Sequence, residues 1–198
     1  METQTVAFDA TRPVAIVLRV RFPSDAEWTE RQRRRKVIVK QLGRGVSETT
    51  VSNGEEVDAA LLAKIRTDGE GAPEVDAWES GKVFDQLGQA EVDDVVQAGD
   101  SFRVTLRVLG GTTAHLIAMP SAKDVAEHKR SFLRALDMPF NKQEITVNLG
   151  SAGVLYKKLV SEVEGYAGEV PIIHQVAVLK AAIEALEVSF QEDQGANF

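Results

Sequence analysis

Residues 101–119 place the strongest constraint on the fold. Every second residue from Phe102 to Val108 is apolar, and arginine or threonine fills the positions between them. That period of two is typical of a strand with one buried face. Gly110-Gly111 follows, a pair that tolerates the positive φ angles of a tight turn, and TTAHLIAM then supplies a returning strand. The sequence therefore predicts a β-hairpin over residues 101–119.

A second strand is predicted over residues 13–22, where PVAIVLRVRF is rich in β-branched residues. Pro23-Ser24 then turns the chain, and Ser24 with Glu27 has the pattern of a capping box at a helix start. We predict a helix from about Asp25 to Leu42 that ends at Gly43. The KVIVKQL stretch inside it is equally compatible with a strand.

Further helices are predicted from the spacing of apolar residues, over about residues 53–69, 74–87, 121–138, 151–165 and 171–190. The last of these is the longest and has the most regular apolar stripe. The resulting fold class is α+β, with a small, mostly antiparallel or mixed sheet formed by residues 13–22 and 101–119 and packed by five to six helices. We expect one compact domain over residues 1–198, with residues 70–74 as the candidate internal boundary.

Two segments of the chain resemble each other. Residues 19–33 and 116–130 share Pro, Ser, Glu and Arg at a constant offset of 97 residues, and a β-like run precedes each. Duplication of a strand–Pro–Ser–helix unit would explain the match. So would the general suitability of Pro-Ser as a helix start. Both interpretations stay open at this level.

Charge is unevenly distributed along the chain. The formal net charge is -7, yet residues 31–44 hold seven Lys or Arg and no acid, so the remainder sums to -14. Residues 51–100 hold thirteen acids and three bases, a local net of -10. Opposite charge blocks can pair within the fold or between copies of it. The candidate interaction surface therefore comprises Arg31, Arg33, Arg34, Arg35, Lys36, Lys40 and Arg44.

Three uses of this basic stretch are open: pairing with the chain's own acids, docking to an acidic protein patch that includes a second copy, and binding to nucleic acid. On a single helix, Arg33, Lys36, Lys40 and Arg44 would form one basic ridge. Nucleic-acid binding is the least favoured of the three. The surrounding charge is negative, aromatic residues make up only 6% of the chain, and no recognised nucleic-acid motif is present.

Sequence motifs of catalysis are absent. The chain has no phosphate-binding loop, no dinucleotide fingerprint, no nucleophile elbow and no HExxH, and it has no cysteine. His115, His128 and His174 lack metal-ligand spacing. We therefore predict no enzyme activity, no cofactor and no metal. An active site assembled from scattered residues such as His115, Asp100 and Arg107 is the competing interpretation.

These observations favour a non-enzymatic interaction or assembly protein, such as a structural or accessory component of a phage-type or other multi-subunit particle. We expect a protein partner or a homo-oligomer, and a location in the cytoplasm or in a particle assembled there. No run approaches the roughly 18 apolar residues of a membrane span, so no membrane partner is expected. The alternative is a nucleic-acid-associated regulatory protein that uses residues 31–44.

Overall fold

The computed structural model describes residues 3–8, 16–43 and 45–195. These residues form six α-helices and ten strands, and every recorded strand pairing is antiparallel. The strands make three sheets, one of two strands and two of four strands. The predicted α+β class is therefore confirmed.

Contacts divide the chain into two units, unit 1 with residues 1–88 and 133–148 and unit 2 with residues 89–132 and 149–198. The elements of unit 1 are β1 Thr3–Phe8, β2 Ile16–Arg21, α1 Asp25–Arg34, β3 Lys36–Gly43, β4 Val46–Ser52, α2 Gly54–Ile65, a 3-10 turn Ala77–Glu79, α3 Ser80–Leu87, β8 Leu133–Met138 and β9 Lys142–Val147. The elements of unit 2 are β5 Ala90–Ala98, β6 Ser101–Val108, β7 Gly111–Ala118, α4 Ala122–Phe132, α5 Leu149–Leu159, β10 Val160–Glu164 and α6 Ile172–Gly195.

The proposed internal boundary at residues 70–74 lies inside unit 1. The interpretation of residues 1–198 as a single compact domain stays a prediction.

The core of unit 1 forms where β2, α1, α2 and α3 bury their apolar residues. Along β2, Ile16, Leu18 and Val20 are buried and the residues between them are exposed. Trp28 of α1 meets Phe84 of α3 edge-on, with ring centroids 5.7 Å apart. Such aromatic pairs add to the stabilisation from burial. The reciprocal capping box of Ser24 and Glu27 fixes the start of α1, as predicted.

The core of unit 2 confirms the predicted hairpin and the long C-terminal helix. Strand β6 pairs with β7 from Ser101 opposite Ala118 to Val108 opposite Gly111. Phe102, Val104 and Leu106 are buried in a cluster with residues of α5 and α6. Because successive side chains of a strand point to opposite faces, burial of one face explains the alternation of apolar and polar residues from Phe102 to Val108.

Five predicted helices are too long. The helices predicted over residues 53–69 and 74–87 correspond to Gly54–Ile65 and Ser80–Leu87, and the other three extend into residues that form strands. The helix expected over residues 25–42 ends at Arg34, and β3 begins at Lys36. The helix expected to reach residue 138 ends at Phe132, and the one expected over residues 151–165 ends at Leu159; strands follow directly in both cases. In β3 the β-branched residues of KVIVKQL prefer extended backbone. The preference of these residues for extended backbone outweighs the helical spacing of Ile38 and Leu42 that suggested a continued helix.

The predicted single sheet is also wrong in its composition. Strand β2 pairs with β1, whereas the hairpin of residues 101–118 joins β5 and β10 in another sheet. Residues 13–15, the start of the predicted strand, lie outside the described residues.

The elements from β6 to α5 repeat the order of those from β1 to α2: two paired strands, a helix, a strand hairpin and a second helix. Helix α1 begins at Asp25 and α4 at Ala122, 97 residues later, and a strand hairpin and another helix follow each. Ser121 and Asp124 exchange the same hydrogen bonds as Ser24 and Glu27. The shared order and caps extend the match beyond Pro-Ser and favour duplication.

A polar network lies inside unit 2. The fully buried ring of His115 has Nδ1 2.8 Å from the Tyr156 hydroxyl and Nε2 3.2 Å from the Thr113 hydroxyl. A second pair joins the Tyr166 hydroxyl to His174 Nδ1 at 2.7 Å. Burial, with a smaller contribution from nearby His174, lowers the pKa of His115 to about 4. His115 is therefore neutral at pH 7 and hydrogen-bonded at both nitrogens.

Acidification is expected to destabilise the fold through His115. Because its pKa falls from 6.5 to about 4 on folding, the unfolded chain binds the extra proton first as the pH drops. The free energy of unfolding therefore decreases as the pH falls from 6.5 to about 4. The expected decrease is roughly 3 kcal/mol, since each pKa unit corresponds to ~1.4 kcal/mol. Urea unfolding across this range should show the loss, and His115→Gln should remove most of it. An unchanged pH slope in the variant would contradict the assignment.

Candidate interaction surface

The basic stretch does not form the ridge expected from a continuous helix. Helix α1 carries Arg31, Arg33 and Arg34, and β3 carries Lys36 and Lys40. Arg35 is the C-cap residue between them, and its N–H donates to the Arg31 carbonyl at 3.1 Å. Arg44 lies outside the described residues. The change from helix to strand sends these side chains in different directions.

Arg31 is a buried structural residue. Its Nε lies 2.7 Å from Asp58 Oδ1 and its Nη2 lies 3.0 Å from Oδ2, and the two side chains are only 8% and 3% exposed. The guanidinium carbon also stands 4.6 Å from the Phe84 ring centroid and 5.4 Å from that of Trp28. Burial lowers the pKa of Arg31, and the hydrogen bond to Asp58 opposes that shift. One acid from the middle of the chain therefore pairs with the basic stretch inside unit 1.

The other described basic residues of the stretch are less enclosed. Arg33 makes an exposed pair with Glu30 at 2.8 Å, a type of contact that contributes little to stability. Arg35 is half-buried, and Arg34, Lys36 and Lys40 are exposed. At the α1–β3 junction, the Asn53 side chain accepts from the Lys36 N–H at 3.2 Å and donates to the Arg34 carbonyl at 2.9 Å. Asn53 thus fixes where β3 begins.

The sheet β4-β3-β9-β8 of unit 1 is unusually open. None of the described side chains in its four strands is buried. The strand register places two sets of residues on opposite faces. We define the apolar face by its six largest apolar residues, Val37, Val39, Val51, Leu133, Ile145 and Val147; the same side also carries Ser47, Thr49, Asp137 and Gln143. We define the charged face by Lys36, Lys40, Glu48, Arg134, Lys142 and Glu144; that side also carries Ile38, Leu136 and Met138.

The charged face carries four cations and two carboxylates. Lys40 stands opposite Glu48 on one side and opposite Lys142 on the other. Like charges directly opposite each other disfavour strand pairing slightly. None of these six side chains forms an ion pair with another described residue. Their charge therefore remains at the surface.

Phe140 lies at the turn between β8 and β9. Its side chain is 86% exposed, and its φ angle is 65°. Positive φ is rare for a bulky residue and costs free energy. Asn141, which follows it with φ 55°, tolerates this conformation better because its short side chain bonds locally. A large apolar ring is thus held in solvent on a strained turn.

The residues of the competing catalytic interpretation do not come together. His115 is buried opposite Val104 on β6. Arg107, towards the other end of β6, is exposed and lies 2.6 Å from Asp93, while Asp100 belongs to the turn before β6. Within the described residues, no cluster of three or more histidines or acids has the arrangement of a metal site.

A depression of about 180 Å³ lies between α1 and α2. Val57 and Leu61 are among its lining residues, and Glu27, Glu30, Arg34 and Lys64 supply charges. Glu27 is occupied by Arg21 at 2.6 Å and Glu30 by Arg33 at 2.8 Å. The acids therefore already act as ion-pair partners. A general base would need such a carboxylate available to a substrate proton.

Sequence reasoning missed β4, β8 and β9, three of the four strands of the open sheet, and left β3 open between helix and strand. The available signals were weak: VSETTVS is short and mostly polar, and LRALDM also suits a helix. KQEITV gave the best signal, since Ile145 and Val147 are two residues apart and follow the turn at Phe140-Asn141.

Comparison with known proteins gives no relative: no family model, curated protein or solved structure matches the chain. In the part of the chain that the structure describes, no helix combines the length and apolar character needed to span a membrane.

The buried ion pair can be tested by removing one partner. The positions 97 residues after Arg31 and Asp58 are His128 and Leu155. The variant Asp58→Leu therefore introduces at position 58 the residue that occupies the corresponding position in the second half of the chain. Loss of the carboxylate should cost about 3–5 kcal/mol, since it leaves a buried guanidinium unpaired. The double variant Arg31→Met/Asp58→Leu should regain most of that loss. Urea unfolding measures both, and a cost below about 1 kcal/mol for Asp58→Leu would contradict the structural role.

Proposed function

We propose that the chain is a non-enzymatic protein–protein interaction module that acts in the assembly of a multi-subunit complex, with a phage-type particle as one such setting. The observation that carries the proposal is the open sheet of unit 1. Six apolar residues share one face of that sheet, and none of them is buried. The docking surface is the apolar face together with Phe140.

The physical argument concerns the cost of exposed apolar surface. An antiparallel sheet usually packs one face on a core and leaves a polar face in solvent. Here the apolar face is half-buried or exposed, with Leu133 at 52% and Val51 at 40%. Contiguous exposed apolar residues mark interaction sites more often than scattered ones do. Contact with a partner would remove this surface from water and stabilise the complex.

Phe140 supports the same proposal. Aromatic residues are frequent among the few side chains that dominate interface energies. A turn with φ 65° would be less strained with glycine or asparagine than with phenylalanine. Strained positions of this kind concentrate at functional sites. We therefore assign Phe140 as an anchor that inserts into the partner.

The nucleic-acid alternative has less support. Arg31 is occupied inside unit 1, and Arg33 pairs with Glu30. The exposed lysines of β3 share their face with Glu48 and Glu144, which leaves four cations against two carboxylates. Strong backbone binding to nucleic acid depends on many cations acting together. The mixed charges of this face are better suited to orienting a protein partner than to binding along a nucleic-acid phosphate backbone.

Site-specific photo-cross-linking tests the proposed docking surface. A photoreactive phenylalanine analogue is placed at position 140 and, in a separate variant, at position 133, and the protein is irradiated in cells of the source organism. We expect a defined protein adduct from both positions because both side chains lie at the proposed interface. The matched control is position 154, where Val154 is 74% exposed on α5 of unit 2.

An adduct at positions 140 and 133 but not at 154 supports the proposal, whether the captured protein is a second copy or another chain. Adding Phe140→Asn to the position-133 variant should weaken the adduct without lowering thermal stability. Absence of any protein adduct, or equal adducts from all three positions, would overturn the proposed surface.

A further inference from the structure

The outer edge of β4 is a second interaction surface, distinct from the apolar face and Phe140. We propose that β4 pairs antiparallel with β4 of a second copy of the chain, which joins two four-stranded sheets into one of eight strands. The contact is symmetric, because the same strand contributes from both copies. It goes beyond the proposed function and rests on the backbone of β4, with Val51 the one residue common to both surfaces.

The backbone of β4 is available for such pairing. The strand runs over seven residues and pairs on one side only, with β3. Its side chains from Val46 to Val51 are all exposed. An edge strand presents a row of N–H and C=O groups that another strand can bond. In the described residues, no strand other than β3 pairs with β4.

The other edges of the two four-stranded sheets carry features that oppose pairing. Strand β5 has a register shift between Val92 and Asp94 and three acids, and β10 has a register shift at its start and two glutamates. Strand β8 carries Arg134 and Asp137. Bulges and charges are the usual protection of sheet edges.

Strand β4 lacks these protections. Its single charge is Glu48, and the one register shift in its pairing falls between Gln41 and Gly43 on the β3 side. Its end is also held in place, since Ser52 Oγ lies 3.5 Å from the Lys36 carbonyl and Asn53 bonds both sides of the α1–β3 junction. A pre-positioned edge loses less freedom on pairing.

The sequence of β4 is compatible with its own antiparallel copy. Thr49 is the centre of Val46–Ser52, so a two-fold axis at Thr49 pairs all seven residues. Thr49 then faces Thr49, Glu48 faces Thr50, and Ser47 faces Val51. This register keeps each side of the two sheets continuous. An axis at Glu48 would instead set two carboxylates opposite each other.

This complementarity favours a second copy over an unrelated strand as the occupant. A different protein would need its own strand with a matching alternation of small polar and β-branched residues. In the symmetric contact, one sequence satisfies the requirement from both sides. The two-fold axis at Thr49 also makes a specific geometric prediction.

Cysteine cross-linking tests the axis directly, because the chain has no cysteine of its own. Thr49→Cys places two thiols on the axis, within the 4.4–6.8 Å Cα separation, roughly, that a disulfide requires. Ser47→Cys is the matched control on the same face. In the proposed register the two Ser47 positions are offset by four residues, about 13 Å along the strand. Mild oxidation should give a disulfide-linked dimer for Thr49→Cys and not for Ser47→Cys, read on a non-reducing gel.

Charge variants provide an independent readout. Thr49→Lys and Thr49→Glu should each give a monomer in light scattering, because like charges then meet at the axis. Mixing the two variants should restore a dimer that contains one of each. Circular dichroism of each variant checks that an exposed substitution leaves the fold intact.

The inference is overturned if Thr49→Cys does not cross-link, if Ser47→Cys cross-links equally well, or if the mixed variants stay monomeric. None of these results affects photo-cross-linking from position 133 on β8 or from position 140 on the turn that follows it. Failure of the β4 dimer and failure of the proposed docking surface are therefore distinguishable.

Discussion

The buried ion pair between Arg31 and Asp58 fixes the first residue of the basic stretch in the core of unit 1. The guanidinium is enclosed by Trp28, Phe84 and the carboxylate, and this joins α1 to α2 and α3. A buried pair of this kind is costly to break from one side, because the remaining charge stays in a dry environment. With Arg31 directed inward, α1 ends three residues later and the chain leaves as β3. The acidic middle of the sequence thus meets the basic stretch within the fold, at least at this position.

The open sheet of unit 1 begins two residues after the end of α1. Strand β3 starts where Asn53 ties its backbone to the end of α1, and it pairs with β4 and β9. The core of unit 1 lies among β1, β2 and the three helices, and no described side chain of the four strands is buried. The apolar face, the edge of β4 and Phe140 are therefore three features of one element. The described residues of unit 1 leave each of these features exposed, wholly or in part. Together they support an assembly role better than a catalytic one.

Much of the fold could be predicted from sequence where pattern and burial agree. The alternation from Phe102 to Val108, the capping box at Ser24 and the stripe of α6 all correspond to buried faces, and all were found in the structure. The failures lie where burial is weak. Strands β3, β4, β8 and β9 have no buried face to impose a period of two. At the level of sequence KVIVKQL therefore stays open between helix and strand, and LRALDM is predicted as helix. The basic candidates could be named, but Arg31 could not be separated from its neighbours, because its pairing depends on a residue 27 positions away.

Light scattering coupled to size exclusion, at low and high salt over a range of protein concentration, tests the central claim most directly. The claim is that copies of the chain associate through the edge of β4 in the open sheet rather than through the basic stretch. Charge-driven contacts weaken as salt screens them, whereas strand pairing and apolar burial do not. The account predicts a dimer that forms with increasing concentration and changes little with salt. A dimer that dissociates as salt rises, or a monomer under every condition, would contradict it.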